Sequence, residues 1–508
     1  MPAYYLEALT VTLGFIILLA EAFVPSKNKS WVGLIGVGGL ILILIATFFA
    51  DGPVRYVAGH GHTLEGDIIS HLGEVRAPSA NWPLWNFYQF DALARFYKLF
   101  ALITTAAVLL MAIDYRKILA RFTENPNSEE GTGEYYALPI FACAGMMWMA
   151  SAKDLAGAFV ALELVTITFY ILVAYMRRNV GSLEAGVKYL ILGALSTGFL
   201  VYGIAWVYGA TGTMRLDLMP EKLAEMQNTV PLLFGIALVL VALGFKVGAV
   251  PMQMWIPDVY QGAPTPTTAF LSVGSKAAGF ILLIRFLTPF LAESSPVRNQ
   301  VLTILLILAC ATLLFGNLAA IAQTNFKRLL AYSSIAHAGF LLLAIAAWTS
   351  TSETSVTSIQ AVSFYLATYL IMTLGVFFVV AQVRIQRDGE AIADFNGLGK
   401  RNPALALALT ILLAALAGVP LTAGFIGKFF VFSLAAQSGL WIALGVAVVA
   451  AAAGFYYYFK TIRAMWWIEP NDDSKISIPL ISKICIATLT ILTLVFGVYP
   501  QPILALLK

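Results

Sequence analysis

Apolar runs of about 20 residues recur from one end of this sequence to the other, and a helix of that length crosses a bilayer. Of the 508 residues, 60% are hydrophobic and 11% charged, far from the composition of a soluble domain. The expected fold class is therefore an all-α polytopic membrane protein. About 14 transmembrane helices are read near 4–24, 31–50, 90–113, 135–151, 154–175, 183–209, 230–262, 264–290, 299–322, 326–349, 358–383, 402–436, 440–466 and 477–498. The seventh and twelfth are read as broken helices, at Gly248-Ala-Val-Pro251 and Gly418-Val-Pro420.

Charge in the connections orients the spans. Sixteen Lys and Arg follow odd-numbered spans and six follow even-numbered ones. Odd connections are then cytoplasmic and both termini external. The N-terminus, MPAYYLEALT, has no Lys or Arg and does not read as a cleaved signal peptide. Cys143, Cys310 and Cys485 sit singly in apolar runs, which offers neither a disulfide framework nor an iron–sulfur or zinc site. The long external loop 51–89 carries His60, His62 and His71. Solvated loop histidines are the plainer account, because no cysteine or carboxylate cluster completes a ligand set. Nucleic-acid, nucleotide, flavin and haem signatures are not seen, and Gly33-Leu-Ile-Gly-Val-Gly-Gly39 lies inside a span as a close-packing stripe.

A weak internal repeat is visible. Glu184-Ala-Gly-Val-Lys-Tyr-Leu190 opens the sixth span and Gln360-Ala-Val-Ser-Phe-Tyr-Leu366 the eleventh, and the two breaks are again five spans apart. Two five-helix units follow, 135–291 and 299–468. An odd number of crossings makes the second inverted, as in many transporters. Residues 1–134 form an N-terminal unit of three helices with loop 51–89, and 469–508 a C-terminal helix.

The chemistry lies in cations that the hydrocarbon should exclude. An ammonium there costs about 3 kcal/mol on insertion scales. Lys246 precedes the first break, Lys276 lies some 12 residues into the eighth span, and Lys428 follows the second break in Gly424-Phe-Ile-Gly-Lys428. Lys188 stands four residues after Glu184, so that a local ion pair competes with a relay role. Lys98 is a further interior candidate. Glu163 is the one carboxylate expected well inside a span, about 20 Å from its cytoplasmic end at helical rise. It is either a structural partner for a lysine or a switch on that lysine's proton. His337, in Tyr332-Ser-Ser-Ile-Ala-His337, suits a proton relay or a simple packed histidine equally. Arg285 reads as structural, since arginine holds its proton. Asp258 reads as a cap in a turn-rich connection from 258 to 266, and Phe455-Tyr-Tyr-Tyr-Phe459 as interface anchors.

At these residues the sequence resembles a known family. Glu184-Ala-Gly-Val-Lys-Tyr-Leu190, Gly244-Phe-Lys246, Trp255-Ile-Pro-Asp-Val-Tyr-Gln-Gly-Ala-Pro-Thr-Pro266, Ser275-Lys276, Lys327-Arg-Leu-Leu-Ala-Tyr-Ser-Ser-Ile-Ala-His337 and Gly418-Val-Pro-Leu-Thr-Ala-Gly-Phe-Ile-Gly-Lys428 are similar to the subunit N family of bacterial respiratory NADH:quinone oxidoreductase (complex I), equivalent to mitochondrial NADH dehydrogenase subunit 2. The resemblance implies two inverted antiporter-like repeats and a proton relay through Glu163, Lys246, Lys188, Lys276 and Lys428. It implies a bacterial inner-membrane location and subunits M, K and J as neighbours. It also implies no cofactor in this chain, with NADH, FMN, iron–sulfur clusters and quinone in partner subunits. Similar proteins carry His-x-Trp after the seventh-span proline; here Gln253 replaces that histidine and receives no proton role. The rival readings are a secondary cation/proton antiporter without electron transfer and a structural membrane spacer.

Overall fold

The computed structural model describes residues 1–23, 29–50, 87–123, 132–349, 356–387, 389–470 and 475–507. His60, His62, His71 and Lys27 lie outside them. The helices are α1 (Tyr5–Phe23), α2 (Ser30–Thr47), α3 (Ala92–Arg121), α4 (Thr132–Ser151), α5 (Leu155–Val173), α6 (Val180–Thr211), α7 (Val230–Val247), α8 (Ile256–Gly262), α9 (Thr265–Phe270), α10 (Lys276–Leu287), α11 (Arg298–Ile321), α12 (Phe326–Ala346), α13 (Ser358–Arg387), α14 (Pro403–Ala417), α15 (Ala423–Gln437), α16 (Trp441–Trp467) and α17 (Leu480–Val498). Among the described residues only isolated bridges represent β-structure. Twelve stretches there are long and apolar enough to span a membrane. The expected fourth span forms as α4 but is not one of the twelve; it is largely buried by protein and tolerates its polar residues. The expected twelfth is α14 and α15, 15 residues each and too short to cross singly.

The helices start where short polar side chains stand ready. Asp91 caps α3, Asp154 caps α5, Asn179 caps α6, Asn325 caps α12 and Asn402 caps α14. The centre of the bundle is α9 with α10, α12 and α13, almost wholly buried. Around it α6, α11 and α16 turn Ile191, Ile307 and Val449 outward, as a lipid-facing surface requires.

The two breaks close alike. Gly248 and Gly418 take φ of 84° and 96°, a region open to glycine and strained for other residues. The N–H groups of Gly248 and Ala249 both reach Gly244 O, at 2.9 and 2.8 Å; those of Gly418 and Val419 both reach Ala414 O, at 3.0 Å. Freed groups find other partners in protein, as a break inside a membrane demands. Val250 N–H meets Thr312 Oγ1 at 3.0 Å, and the Trp255 indole donates to Phe245 O at 2.9 Å.

A second matched pair ties turns to distant segments. Leu155 N–H reaches Met214 O and Leu216 N–H reaches Lys153 O, both at 3.0 Å. Phe326 N–H reaches Glu390 O at 2.8 Å and Ile392 N–H reaches Thr324 O at 2.9 Å. The first pair latches the α4–α5 turn to the segment after α6. The second latches the α11–α12 turn to the segment after α13.

Local expectations needed correction. Residues 258–262 are helix rather than turn, because Pro257 falls in the first turn of α8, where its missing N–H is not needed. The eighth span is not one regular helix: a π-turn, Leu271–Ser275, separates α9 from Lys276. Lys327, counted with the loop cations, is buried in the first turn of α12, donating to Ala263 O at 2.7 Å and Glu390 Oε1 at 3.2 Å.

Glu163 is also not the only carboxylate drawn inside. Glu7 of α1 is buried and ion-paired to Lys98 of α3, whose side chain is fully enclosed. Tyr88 donates to both Glu7 oxygens at 3.2 Å, and the Lys98 ammonium lies 4.9 Å from the Tyr88 ring centroid. Removing one member of a buried pair strands the other's charge, whereas removing both does not. Glu7→Gln is therefore expected to cost about 3 kcal/mol, read as a lower thermal midpoint of the detergent-purified protein. Glu7→Leu combined with Lys98→Met is expected to recover most of that loss, and equal losses in the two would count against the pairing.

Candidate functional site

Lys246 sits in the last turn of α7, just before the break, and is buried. Its ammonium donates to Thr166 Oγ1 on α5, while the same hydroxyl donates to Leu162 O at 2.6 Å. Glu163, one turn earlier on α5, is half-buried and instead accepts from Thr197 Oγ1 of α6 at 2.8 Å. Glu163 and Lys246 are thus neighbours across Thr166 rather than a contact ion pair, although the carboxylate's charge reaches the lysine.

Lys276 opens α10 directly after the π-turn. Its ammonium donates to both the carbonyl and the hydroxyl of Ser334 on α12 and lies 5.9 Å from the Tyr369 ring centroid. Ser334 Oγ is shared with Tyr260 OH of α8 at 3.2 Å, and Ser272 with Tyr369 OH at 3.0 Å. His337 lies one turn further along α12. Its Nδ1 is 2.7 Å from Tyr365 OH and its Nε2 3.2 Å from Tyr458 OH, which also contacts Ser333. The charges of Lys276 and Lys428 both reach this imidazole.

Lys428 of α15 turns back on the second break. It donates to Leu416 O at 3.1 Å and Ala417 O at 2.6 Å, with the Phe340 ring centroid 5.3 Å away. Those carbonyls end α14, where the helix dipole is negative and the backbone has lost its intrahelical donors. Lys246, Lys276 and Lys428 share one chemical situation. Each is a buried ammonium with hydroxyl or carbonyl hydrogen-bond partners and no carboxylate within ion-pair distance among the described residues.

Lys188 differs. It is 42% exposed and pairs with Glu184 at 2.7 Å and Asp258 at 2.8 Å. The local helical pair and a longer-range one therefore coexist. Asp258 is not a cap: its other oxygen accepts from Arg328 at 2.7 Å. Arg285 grips Asp91 through two nitrogens at 2.6 and 2.7 Å and donates to Ala150 O, which fastens α10 to α3 and α4.

Sequence reading found the lysines and missed their partners. Thr166, Tyr260, Tyr365 and Tyr369 are single polar residues in apolar helices, and only their appearance opposite a lysine distinguishes them. The Phe455–Phe459 cluster is split: Phe455, Tyr456 and Phe459 face outward as anchors, but Tyr457 and Tyr458 are buried, bonded to Asn317 and to His337 with Ser333. Helical geometry divides five consecutive aromatics between two faces. Among the described residues no cluster of three His, Cys, Asp or Glu side chains is placed to hold a metal ion.

Residues 152–454, which hold every residue just described around the three lysines except Tyr457 and Tyr458, match the family model for the transmembrane region of NADH:quinone oxidoreductase and Mrp antiporter proteins. The NADH-quinone oxidoreductase subunit N of Heliobacterium modesticaldum is 38% identical over 502 residues, 98% of this chain and 96% of that one. Among solved structures, a chain of respiratory complex I from Thermus thermophilus superposes with TM-score 0.75 at 29% identity, covering 98% of each. A chain of the Mrp complex from Dietzia sp. superposes with TM-score 0.78 over 99% of this chain and 96% of that one; at 20% identity that likeness concerns the fold alone. Backbone shape therefore does not separate electron-transfer complexes from antiporters, but end-to-end sequence identity does, and the chain belongs to the NADH-quinone oxidoreductase subunit N family.

Proposed function

We propose that this chain is a proton-translocating membrane-arm subunit of an NADH:quinone oxidoreductase. The observation that carries the reading is the trio of buried ammonium groups held by neutral partners along one bundle. An ammonium without a counter-ion in a low-dielectric interior gives up its proton more readily than in water, and a nearby carboxylate reverses that preference. Glu163 is the carboxylate in range of Lys246, at a distance that a modest shift of its charge or position alters. Protons then pass from Lys246 to Lys276, on through Ser334 and His337 with their tyrosines, and out by Lys428; Lys188 feeds the relay from a water-exposed end. The matched breaks and matched latches support two inverted repeats, 135–291 and 299–468, between an N-terminal unit 1–134 and a C-terminal helix 469–508. With α4 and the α14–α15 pair counted as crossings, the bundle has 14. Both termini are external in a bacterial inner membrane. Subunits M, K and J are the neighbours, and FMN, iron–sulfur clusters and quinone are bound by partner subunits, where the oxidation of NADH takes place.

The rival reading, an antiporter without electron transfer, predicts purification in an assembly lacking flavin and iron–sulfur absorption. In the assembled complex, Lys246→Ala and Glu163→Gln are expected to pump several-fold more slowly and to depress NADH:quinone turnover with it. Full pumping by either assembled variant, read from acidification of inverted vesicles, rejects the relay. Ser334→Ala is expected to slow turnover less than Lys276→Ala, because the Ser334 carbonyl still holds the ammonium; NADH oxidation in the same vesicles measures both.

A further inference from the structure

The seven residues of α8 lie between Lys188 and the hydroxyl that holds Lys276. Its preceding turn is fixed to α7 by Trp255, whose indole donates to Phe245 O, next to Lys246. Its last residue is wedged against α6: a Cβ on Gly262 would come within 2.4 Å of Gly181 O, so no slack exists there. Between these ends α8 presents Asp258 and Tyr260. Asp258 accepts from Lys188 of α6 at 2.8 Å and from Arg328 of α12 at 2.7 Å, and Arg328 also donates to Gln261 Oε1 at 3.1 Å. Tyr260, on the buried side, shares Ser334 Oγ, the hydroxyl that holds the Lys276 ammonium. Lys188, Asp258 and Arg328 are each about a third or more exposed, whereas Tyr260 and Lys276 are not. One short helix therefore joins a partly exposed ion cluster to a buried lysine.

The repeat adds an independent observation. Asp258 lies ten residues after Gly248, and Lys428 lies ten residues after Gly418. The two breaks close with the same hydrogen bonds, so the two residues stand at the same chain distance from matched turns. One repeat puts at this place a lysine that holds the broken helix; the other puts a carboxylate held by two cations.

We infer that Asp258 is a positioning residue: through α8 it couples the charge on Lys188 to the hydroxyls that hold Lys276. With Lys188 protonated, Asp258 is clamped between α6 and α12, and Tyr260 is held on Ser334. When Lys188 passes its proton on, Asp258 keeps only Arg328 and the α6 side of the clamp opens; Trp255 and Gly262 still hold the ends of α8, and the Tyr260 side chain leaves Ser334 Oγ free to take part in transfer to Lys276. The inference rests on the relay proposed above, and the experiment separates the two. In vesicles holding the whole complex, Asp258→Asn is expected to lower proton pumping by at least about fivefold, the low end of ordinary coupling between sites, with assembly retained. Asp258→Glu, which keeps both ion pairs, is expected to restore most of it. Asp258→Asn combined with Tyr260→Phe is expected to be no worse than the poorer single variant, since both cut one path. Pumping at the unsubstituted rate in Asp258→Asn, alongside a Lys246→Ala control that pumps several-fold more slowly, overturns this proposal alone; a Lys246→Ala control that pumps fully overturns the relay. Additive losses without rescue by glutamate assign Asp258 to simple packing and also overturn it. Where Asp258→Asn fails to assemble, Arg328→Gln opens the α12 side of the clamp while leaving Lys188 in place and carries the same expectation, and normal pumping there is equally fatal.

Discussion

Three ammonium groups inside a lipid-facing bundle, each bonded to neutral oxygen, are the constraint on which the rest of this structure depends. A carboxylate in contact would offset part of the cost of burying each of them and make it hard to deprotonate. Hydroxyls and carbonyls do neither: they take one or two of the three N–H donors while leaving the charge uncompensated. Thr166 does this for Lys246, Ser334 for Lys276, and the end of α14 for Lys428. Elsewhere the chain shows the other solution. Lys98 with Glu7, Arg285 with Asp91 and Lys327 with Glu390 are ion pairs, and they stand where helices are fastened together. Neutral and charged partners thus divide the buried cations into those suited to exchanging a proton and those suited to holding structure.

The backbone is built around the same need. Carbonyls lose their intrahelical donors where a helix is interrupted, and inside a membrane the interruption has to be sealed. Gly248 and Gly418 supply the left-handed turn, and Lys428 occupies the carbonyls that the second break frees. The cost is visible one turn later. Leu421 holds φ of 69°, a conformation unfavourable for a leucine, and α17 packs against it through Gly497, where a Cβ would come within 2.4 Å of Leu421 O. A close helix contact keeps in place a segment that would relax if it were isolated.

Much of this was legible from residue order. Run length located the helices, glycine and proline located the breaks, and lysines in hydrocarbon are too costly to be accidental, so Lys246, Lys276 and Lys428 stood out. The partners did not, because a threonine, serine or tyrosine in an apolar helix costs little and occurs often; Thr166 differs from Thr168 only in what lies opposite. Glu7 escaped notice for a related reason. Near a chain end, three residues into a helix, it reads as an interfacial acid, and only the fold shows Lys98 and Tyr88 closing over it. Asp258 was misread because a turn-rich stretch from 258 to 266 hid a short helix that Pro257 opens.

On the two-repeat reading proposed above, the differences between the two halves are where direction can arise. The latched turns pair Asp154 with Asn325 as helix caps. Nine residues on, Glu163 corresponds to Ser334; twelve residues on, Thr166 corresponds to His337. The acid of the first repeat is thus a hydroxyl in the second, and the neutral partner of Lys246 becomes an imidazole. Two residues before the breaks, Lys246 corresponds to Leu416, whose side chain carries no proton but whose carbonyl receives Lys428. A perfectly repeated structure would hold protons equally well in both halves and favour neither direction. Among the described residues, Glu163 is the carboxylate whose charge reaches Lys246 and His337 the imidazole near Lys276 and Lys428; on the relay proposed above, a proton leaving the reach of Glu163 meets sites that bind it through neutral groups.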